Sequence, residues 1–279
     1  LVENNGIGAL DFDGVRVDDG GAGGIAATIS KSRINANGGD GLELDERGPG
    51  NVWMNVEKST FNANGFFDEE DLDDGVDVDE AGPGGLHAVV TGSRFVGNLD
   101  EGLDLDEEDE GGVHLVLQNV WANENLDVGI KVSEEDAGSV AASLYNVIAR
   151  NNGDDGIELE EEDDGNIFAS IVHVSATLNG DSGIQIEESD GGFLAASLNR
   201  VTSKRNAGNG AQFSESGDGD LFVSAVDSIF ARNGEYGIQA EQEDGGPGFL
   251  FLEDVRLNKN TLGDLDLLGV LLLGEDDDD

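Results

Sequence analysis

The chain has 279 residues, with 61 Asp and Glu against 14 Lys and Arg, a formal charge of −47, 43 Gly and no Cys. Without Cys there is no disulfide scaffold, no thiolate zinc site and no Cys nucleophile. So acidic a balance argues against nucleic acid, whose phosphates need Lys and Arg, and against an anionic membrane surface.

At 37% hydrophobic the chain can still bury a core. Its longest apolar run lies within 269–274, far short of a bilayer span, so no membrane insertion is expected. The start at Leu1, with no visible signal peptide, points to a processed protein or an excised fragment.

From the first copy onward one repeat dominates. Gly, aliphatic, any residue, aliphatic begins at Gly14 and returns at Gly41, Gly75, Gly102, Gly129, Gly156, Gly183, Gly210 and Gly237. The spacing is 27 residues except for 34 between Gly41 and Gly75, which places a 7-residue insertion within 65–74. A tenth copy, Asp264 to Leu267, keeps the spacing without the glycine. Nine residues after each motif glycine stands a second glycine, from Gly23 to Gly246. These column glycines are expected to take positive φ. Twenty-three residues after it stands Asn37, Asn64, Asn98, Asn125, Asn152, Asn179, Asn206, Asn233 or Asn260.

Within a copy the period is two. Ile157 and Leu159 point one way, Glu158 and Glu160 the other. Further alternating runs hold Ile167, Ala169 and Ile171, then Val174 and Ala176. Three short strands per copy at fixed spacing suit one turn of a parallel β-helix. A propeller blade needs four strands, and the ladder of a leucine-rich repeat is absent. The expected fold is an all-β, right-handed parallel β-helix of about ten coils of 27 residues, a single domain over 1–279. Regular coils fill 14–268, and 274–279 form an acidic tail.

The pattern N-x-x-D-G-I-x-L after a short strand resembles the repeats of right-handed parallel β-helix proteins of the pectate-lyase-like superfamily. The resemblance spans about Asn5 to Leu268. It implies an internal asparagine ladder, with Asn37 through Asn260 at the matching positions. It also implies a lyase, hydrolase or epimerase acting on acidic polysaccharide, in some members with carboxylate-held Ca²⁺ and a nearby Arg base.

Columns carry the rest. Val15, Leu42, Val76 and their successors to Leu265 are expected core. Five residues after each motif glycine come Asp19, Glu46, Glu80, Glu107, Glu134, Glu161, Glu188, Glu215 and Gln242. Two further on, Asp109, Asp136, Asp163, Asp190 and Asp244 recur. Both are read as outward columns. Carboxylates stacked about 5 Å apart repel by about 1 kcal/mol per pair even in water. One answer is bound Ca²⁺, with Glu80, Glu107, Asp109, Glu134, Asp136, Glu161, Asp163, Glu188 and Asp190 as metal ligands. The other is a halophilic surface held by concentrated salt. No turn matches an EF-hand loop or a nine-residue calcium-roll repeat.

An outward column on the second strand carries Trp53, His87 and His114 on consecutive coils, with Asn55 on the same face. Aromatic rings beside amides are what a carbohydrate-binding platform needs. The insertion at Phe66 to Leu72 is placed to wall it.

Three features weigh against catalysis. The nine Arg look scattered from Arg16 to Arg256, and none falls on the Trp53–His114 face. The paired-aspartate motif of polygalacturonases and the Asp-Pro-His motif of alginate epimerases are missing. An anionic polymer would meet −47 charges. The functional expectation is therefore a secreted or cell-surface module that binds Ca²⁺ along its acidic turns, with possible glycan contact. The alternative is a polysaccharide lyase, hydrolase or epimerase. Edges without a covering helix, at Leu1-Val2 and at Leu267 to Leu273, add head-to-tail self-association as a partner mode.

Overall fold

A computed structural model describes residues 1–6, 12–65 and 72–274. Residues 66–71, within the 65–74 stretch that holds the insertion, and residues 275–279 of the acidic tail lie outside the described residues. Every regular element among the described residues is a β-strand, and every strand pairing is parallel. The chain is a parallel β-solenoid of about nine turns.

The first sheet has ten strands, Val15–Asp19, Leu42–Glu46, Val76–Ala81, Asp106–Glu110, Ile130–Ala137, Ile157–Asp163, Ile184–Asp190, Ala211–Gly217, Tyr236–Asp244 and Gly263–Leu268. The second face stacks strands such as Ile25–Ser30, Val52–Glu57, Leu86–Thr91 and Asn166–Val172. The third stacks three-residue strands such as Arg33–Asn35, Thr60–Asn62 and Thr202–Lys204. Twice, in Val113–Asn123 and Ser139–Arg150, the second and third strands run on without a break. Partners across the regular coils are 27 residues apart, as in Ile157↔Ile184, and 34 across the insertion, as in Leu42↔Val76, while the first and last pairings differ, Val2↔Ile34 at 32 and Gly248↔Val270 at 22.

The periodicity explains the core. Residues one and three after each motif glycine point inward, so Leu42, Leu44, Val76, Val78, Ile157 and Leu159 are buried in register. Phe61 and Phe95 stack inside with ring centroids 5.4 Å apart. Burying each such side chain stabilises the fold by about 1.5–3 kcal/mol.

The expected asparagine ladder runs the length of the molecule. From Asn5 to Asn260, each Nδ2 donates to the Oδ1 of the next coil's asparagine over 2.9–3.3 Å. Asn98 is typical. Its N–H and Nδ2 both donate to Asn125 Oδ1, and Nδ2 also reaches the Phe61 carbonyl at 3.3 Å. The motif glycines make room for these amides: a Cβ added to Gly41 would lie 2.7 Å from Asn64 Nδ2.

Left-handed residues turn the corners, at the third corner only in the coils from Asp109 to Asp190. Lys58, Asn119 and His173 bend one corner at φ 49–57°, and Ala63, Glu124 and Arg205 the next at φ 55–61°. At the third, Asp109, Asp136, Asp163 and Asp190 take φ 79–82°. This corrects the expectation for the glycines that follow them. None of the column glycines is left-handed. They are glycine because the stack leaves no space: a Cβ on Gly84 or Gly219 would meet the carbonyl of the preceding coil and, at 2.7–2.8 Å, the carboxylate of Glu80 or Glu215.

Candidate functional site

The column from Glu46 to Glu215 faces inward, not outward as expected. Glu46, Glu80, Glu107, Glu134, Glu161, Glu188 and Glu215 are 0–1% exposed. The reason is parity: five residues after the motif glycine lies on the same face as one and three. The glutamates thus form a second internal ladder, at the corner between the first and second sheets. At its ends Asp19 accepts from the Gly21 and Gly24 amides, and Gln242 Nε2 donates to the Gly219 carbonyl. Between Glu80 and Glu188 neither carboxylate oxygen has a donor.

Such a row cannot be fully ionised. Burial, reinforced by Glu80 and Glu134, pushes Glu107 up to about 10. Burial and the charges of Glu134 and Glu188 take Glu161 to about 9. At Glu134 burial, helped by the charges of Asp136 and Asp163, outweighs the lowering influence of Glu107 and Glu161 and leaves it at about 7. The highest values fall on alternate members, Glu107 and Glu161, so a carboxyl that keeps its proton there has a carboxylate on the next coil able to accept it.

The set expected to bind metal therefore splits. Its glutamates lie inside, while Asp109, Asp136, Asp163 and Asp190 are exposed on the left-handed corner. The side chain of Asp244 is outside the described residues. A ladder offers one carboxyl per coil, so a third ligand is two spacings away. Among the described residues no three members of this set converge.

Carboxylates do converge on the outer face of the first sheet, at residues the sequence reading missed. Asp13, Asp40 and Glu43 form one group with oxygens within 4.8 Å of one another. Asp18, Glu43 and Asp45 form a second; Asp40, Asp74 and Asp77 a third; Asp74, Asp100 and Glu101 a fourth. They share Asp40, Glu43 and Asp74, so the groups chain along the first coils. Arg16 bonds Glu43 at 2.5 Å, Arg47 pairs with Asp45, and Lys131 meets Asp104 at 3.2 Å. Those three cations leave most of the charge unmatched. Burial first, and neighbouring carboxylates second, push Asp77 up to about 10 and Glu43 and Glu101 to about 8. Buried Asp45 Oδ1 and Asp104 Oδ1 have no hydrogen-bond partner. The signal was present in the columns one before and two after each motif glycine, acidic in the first coils and again at Asp155 and Glu158, where Asp154, Asp155 and Asp181 form a separate group.

The aromatic column stands where expected. Trp53, His87 and His114 occupy consecutive coils, in register on the second face. Trp53 is 55% exposed and stacks on His87 with centroids 4.0 Å apart at 24°. His114 is tilted 6.1 Å beyond. A cleft of about 610 Å³ opens beside both histidines, with Asn51 and Asn166 in its wall. Asn55 is exposed two residues along the Trp53 strand. The insertion placed to wall this patch is outside the described residues, apart from Leu72.

Four of the nine Arg residues are not scattered. Stacking gathers Arg150, Arg205, Arg232 and Arg256, with Lys204, around one cleft on the third face. No protein-family model matches the chain, and no curated protein or solved structure matches it at a significant level.

Proposed function

We propose that this chain is a non-catalytic β-helix module, secreted or displayed at a cell surface, that takes divalent cations, Ca²⁺ foremost, on the outer face of its first sheet. The observation that carries this reading is the run of linked carboxylate groups whose oxygens lie within 4.8 Å of one another. Ca²⁺ binds oxygens at 2.3–2.6 Å, so two donors about 4.8 Å apart straddle one ion, with carbonyls and water completing the shell. Buried oxygens without donors supply the need for a cation, and the shortage of Lys and Arg removes the competitor. The pectate-lyase-like resemblance of the repeats supports an extracellular setting.

Melting curves at matched ionic strength test it. Millimolar CaCl₂ is expected to raise the melting temperature above NaCl alone, with reversal by EDTA. Each site adds about 2.7 kcal/mol when Ca²⁺ stands at 100 times Kd. Replacing Asp74 and Asp77 by Asn should remove most of the calcium increment. Indistinguishable curves in calcium and sodium would leave a halophilic surface instead.

A second reading, glycan contact, is favoured by one observation, the exposed Trp53 stacked on His87. Trp53→Ala should reduce retention on a polysaccharide column while changing stability by less than about 0.5 kcal/mol, because an exposed ring packs little. Loss of several kcal/mol with unchanged retention would make the column packing.

A further inference from the structure

The third face reverses the charge of the molecule. From Arg33 to Asn258 its three-residue strands present no acidic side chain on the outer side. The cleft there holds about 540 Å³ and is lined by Arg150, Lys204, Arg205, Arg232 and Arg256 with no carboxylate. Arg16, Arg47, Lys58, Lys131 and Arg200 all take ion pairs. Among the described residues Lys31, Arg33, Arg94 and Lys259 take none, and neither do the five in the cleft, which differ in standing together around one cavity with no carboxylate in its wall. Arg150 and Lys204 share a column two coils apart, and Arg205 and Arg232 stand on adjacent coils of the following corner. Like charges about 5 Å apart repel by about 1 kcal/mol even in water, and nothing within the fold offsets that here.

We propose that this cleft binds a small ligand bearing two or more phosphoryl or sulfuryl groups. Four planar guanidinium forks and one ammonium match tetrahedral oxyanions, which accept paired N–H donors. Thr177 and Asn258 add neutral donors at the wall. A volume of about 540 Å³ suits a small molecule. The net charge of −47 does not forbid this, because screening limits distant charges to about 8 Å at physiological salt and the five cations are nearer.

The test is calorimetric titration with inorganic tripolyphosphate, phosphate and sulfate in 0.15 M NaCl with EDTA, so that no cation bridges ligand to the acidic sheet. Tripolyphosphate should bind one to one, at least tenfold more tightly than either single anion, and the ranking of phosphate against sulfate identifies the preferred group. Arg205→Gln with Arg232→Gln should weaken binding at least tenfold. Arg33→Gln, on the same sheet but outside the cleft, should leave it unchanged. Arg232→Lys should fall between, having charge without the fork. Absence of one-to-one binding, or equal weakening by Arg33→Gln, overturns the proposal. So does a dimer without ligand that Arg205→Gln dissociates, since the cleft would then hold the acidic face of a second copy.

Discussion

Two internal ladders run through this solenoid, one of amides and one of carboxyls, and they obey the same geometry with opposite chemistry. Asn125, Asn152 and Asn179 stack at one corner; Glu134, Glu161 and Glu188 stack at another. In a solenoid the neighbour of a column residue is another copy of itself, so the side chain must be its own complement. An amide is, because it carries donor and acceptor together, and every link of the asparagine ladder is made. A carboxylate is not, because ionised it only accepts. The glutamate ladder becomes self-complementary only when alternate members hold a proton, and the highest raised values fall on alternate members, Glu107 and Glu161. One ladder is therefore indifferent to pH and the other is governed by it.

The largest expected effect breaks the amide ladder. Asn152 donates to Asn179 Oδ1 and to the Ala122 carbonyl, each at 3.2 Å, and accepts from the amide and Nδ2 of Asn125. Asn152→Leu strands all of these in the interior. The loss should be about 3–5 kcal/mol, equal at pH 5 and pH 9, read by urea unfolding. A loss under about 0.5 kcal/mol would show that the ladder is dispensable.

The carboxyl ladder should respond with the opposite dependence. A folded-state value above the ordinary 4.5 means the contribution is complete at low pH and is lost as pH rises through the raised values. Those lie at about 7 for Glu134 and Glu188, 8 for Glu80, 9 for Glu161 and 10 for Glu107. Stability without divalent cations should therefore decline from pH 5 to pH 10. Glu134→Gln replaces one carboxyl by an amide, as in the other ladder. It should stabilise by about 1–2 kcal/mol at pH 9 and change little at pH 5. No gain at pH 9 would mean that cations, not protons, occupy the row.

Much of this was legible in the sequence. The coil length, the core columns and the asparagine ladder all follow from one 27-residue register. The same register contained the glutamate ladder, since Glu161 shares the parity of Ile157 and Leu159. There the usual exposure of glutamate was weighted above the alternation. The glycine column was misjudged for a related reason: its glycines accommodate a neighbouring coil and a buried carboxylate, which intrinsic φ preference does not reveal. The outer carboxylate groups and the basic cleft depend on side chains from columns at different offsets meeting across coils. The register does relate Arg150 to Lys204 and Arg205 to Arg232, at multiples of 27 residues, but those two columns and that of Arg256 meet around one cleft only when the coils stack.

The smallest expected effect lies at the end of the carboxyl ladder, where the chain itself changes chemistry. Gln242 follows Glu215 in register and is 6% exposed. Its Nε2 donates to the Gly219 and Glu243 carbonyls, each at 3.3 Å. Gln242→Glu would lengthen the row by one carboxyl. A protonated glutamate can still donate to the Gly219 carbonyl, so the variant should match the parent at pH 5. At pH 9 it would lose that donor and face Glu215. Its effect should nonetheless be smaller than at Glu134, because a terminal carboxyl has one like neighbour and an interior one has two. A loss of about 0.5–1 kcal/mol at pH 9, absent at pH 5, fits proton sharing along the row. The same loss at both values would mean that the amide at 242 serves local packing, and that the ladder ends there for steric reasons.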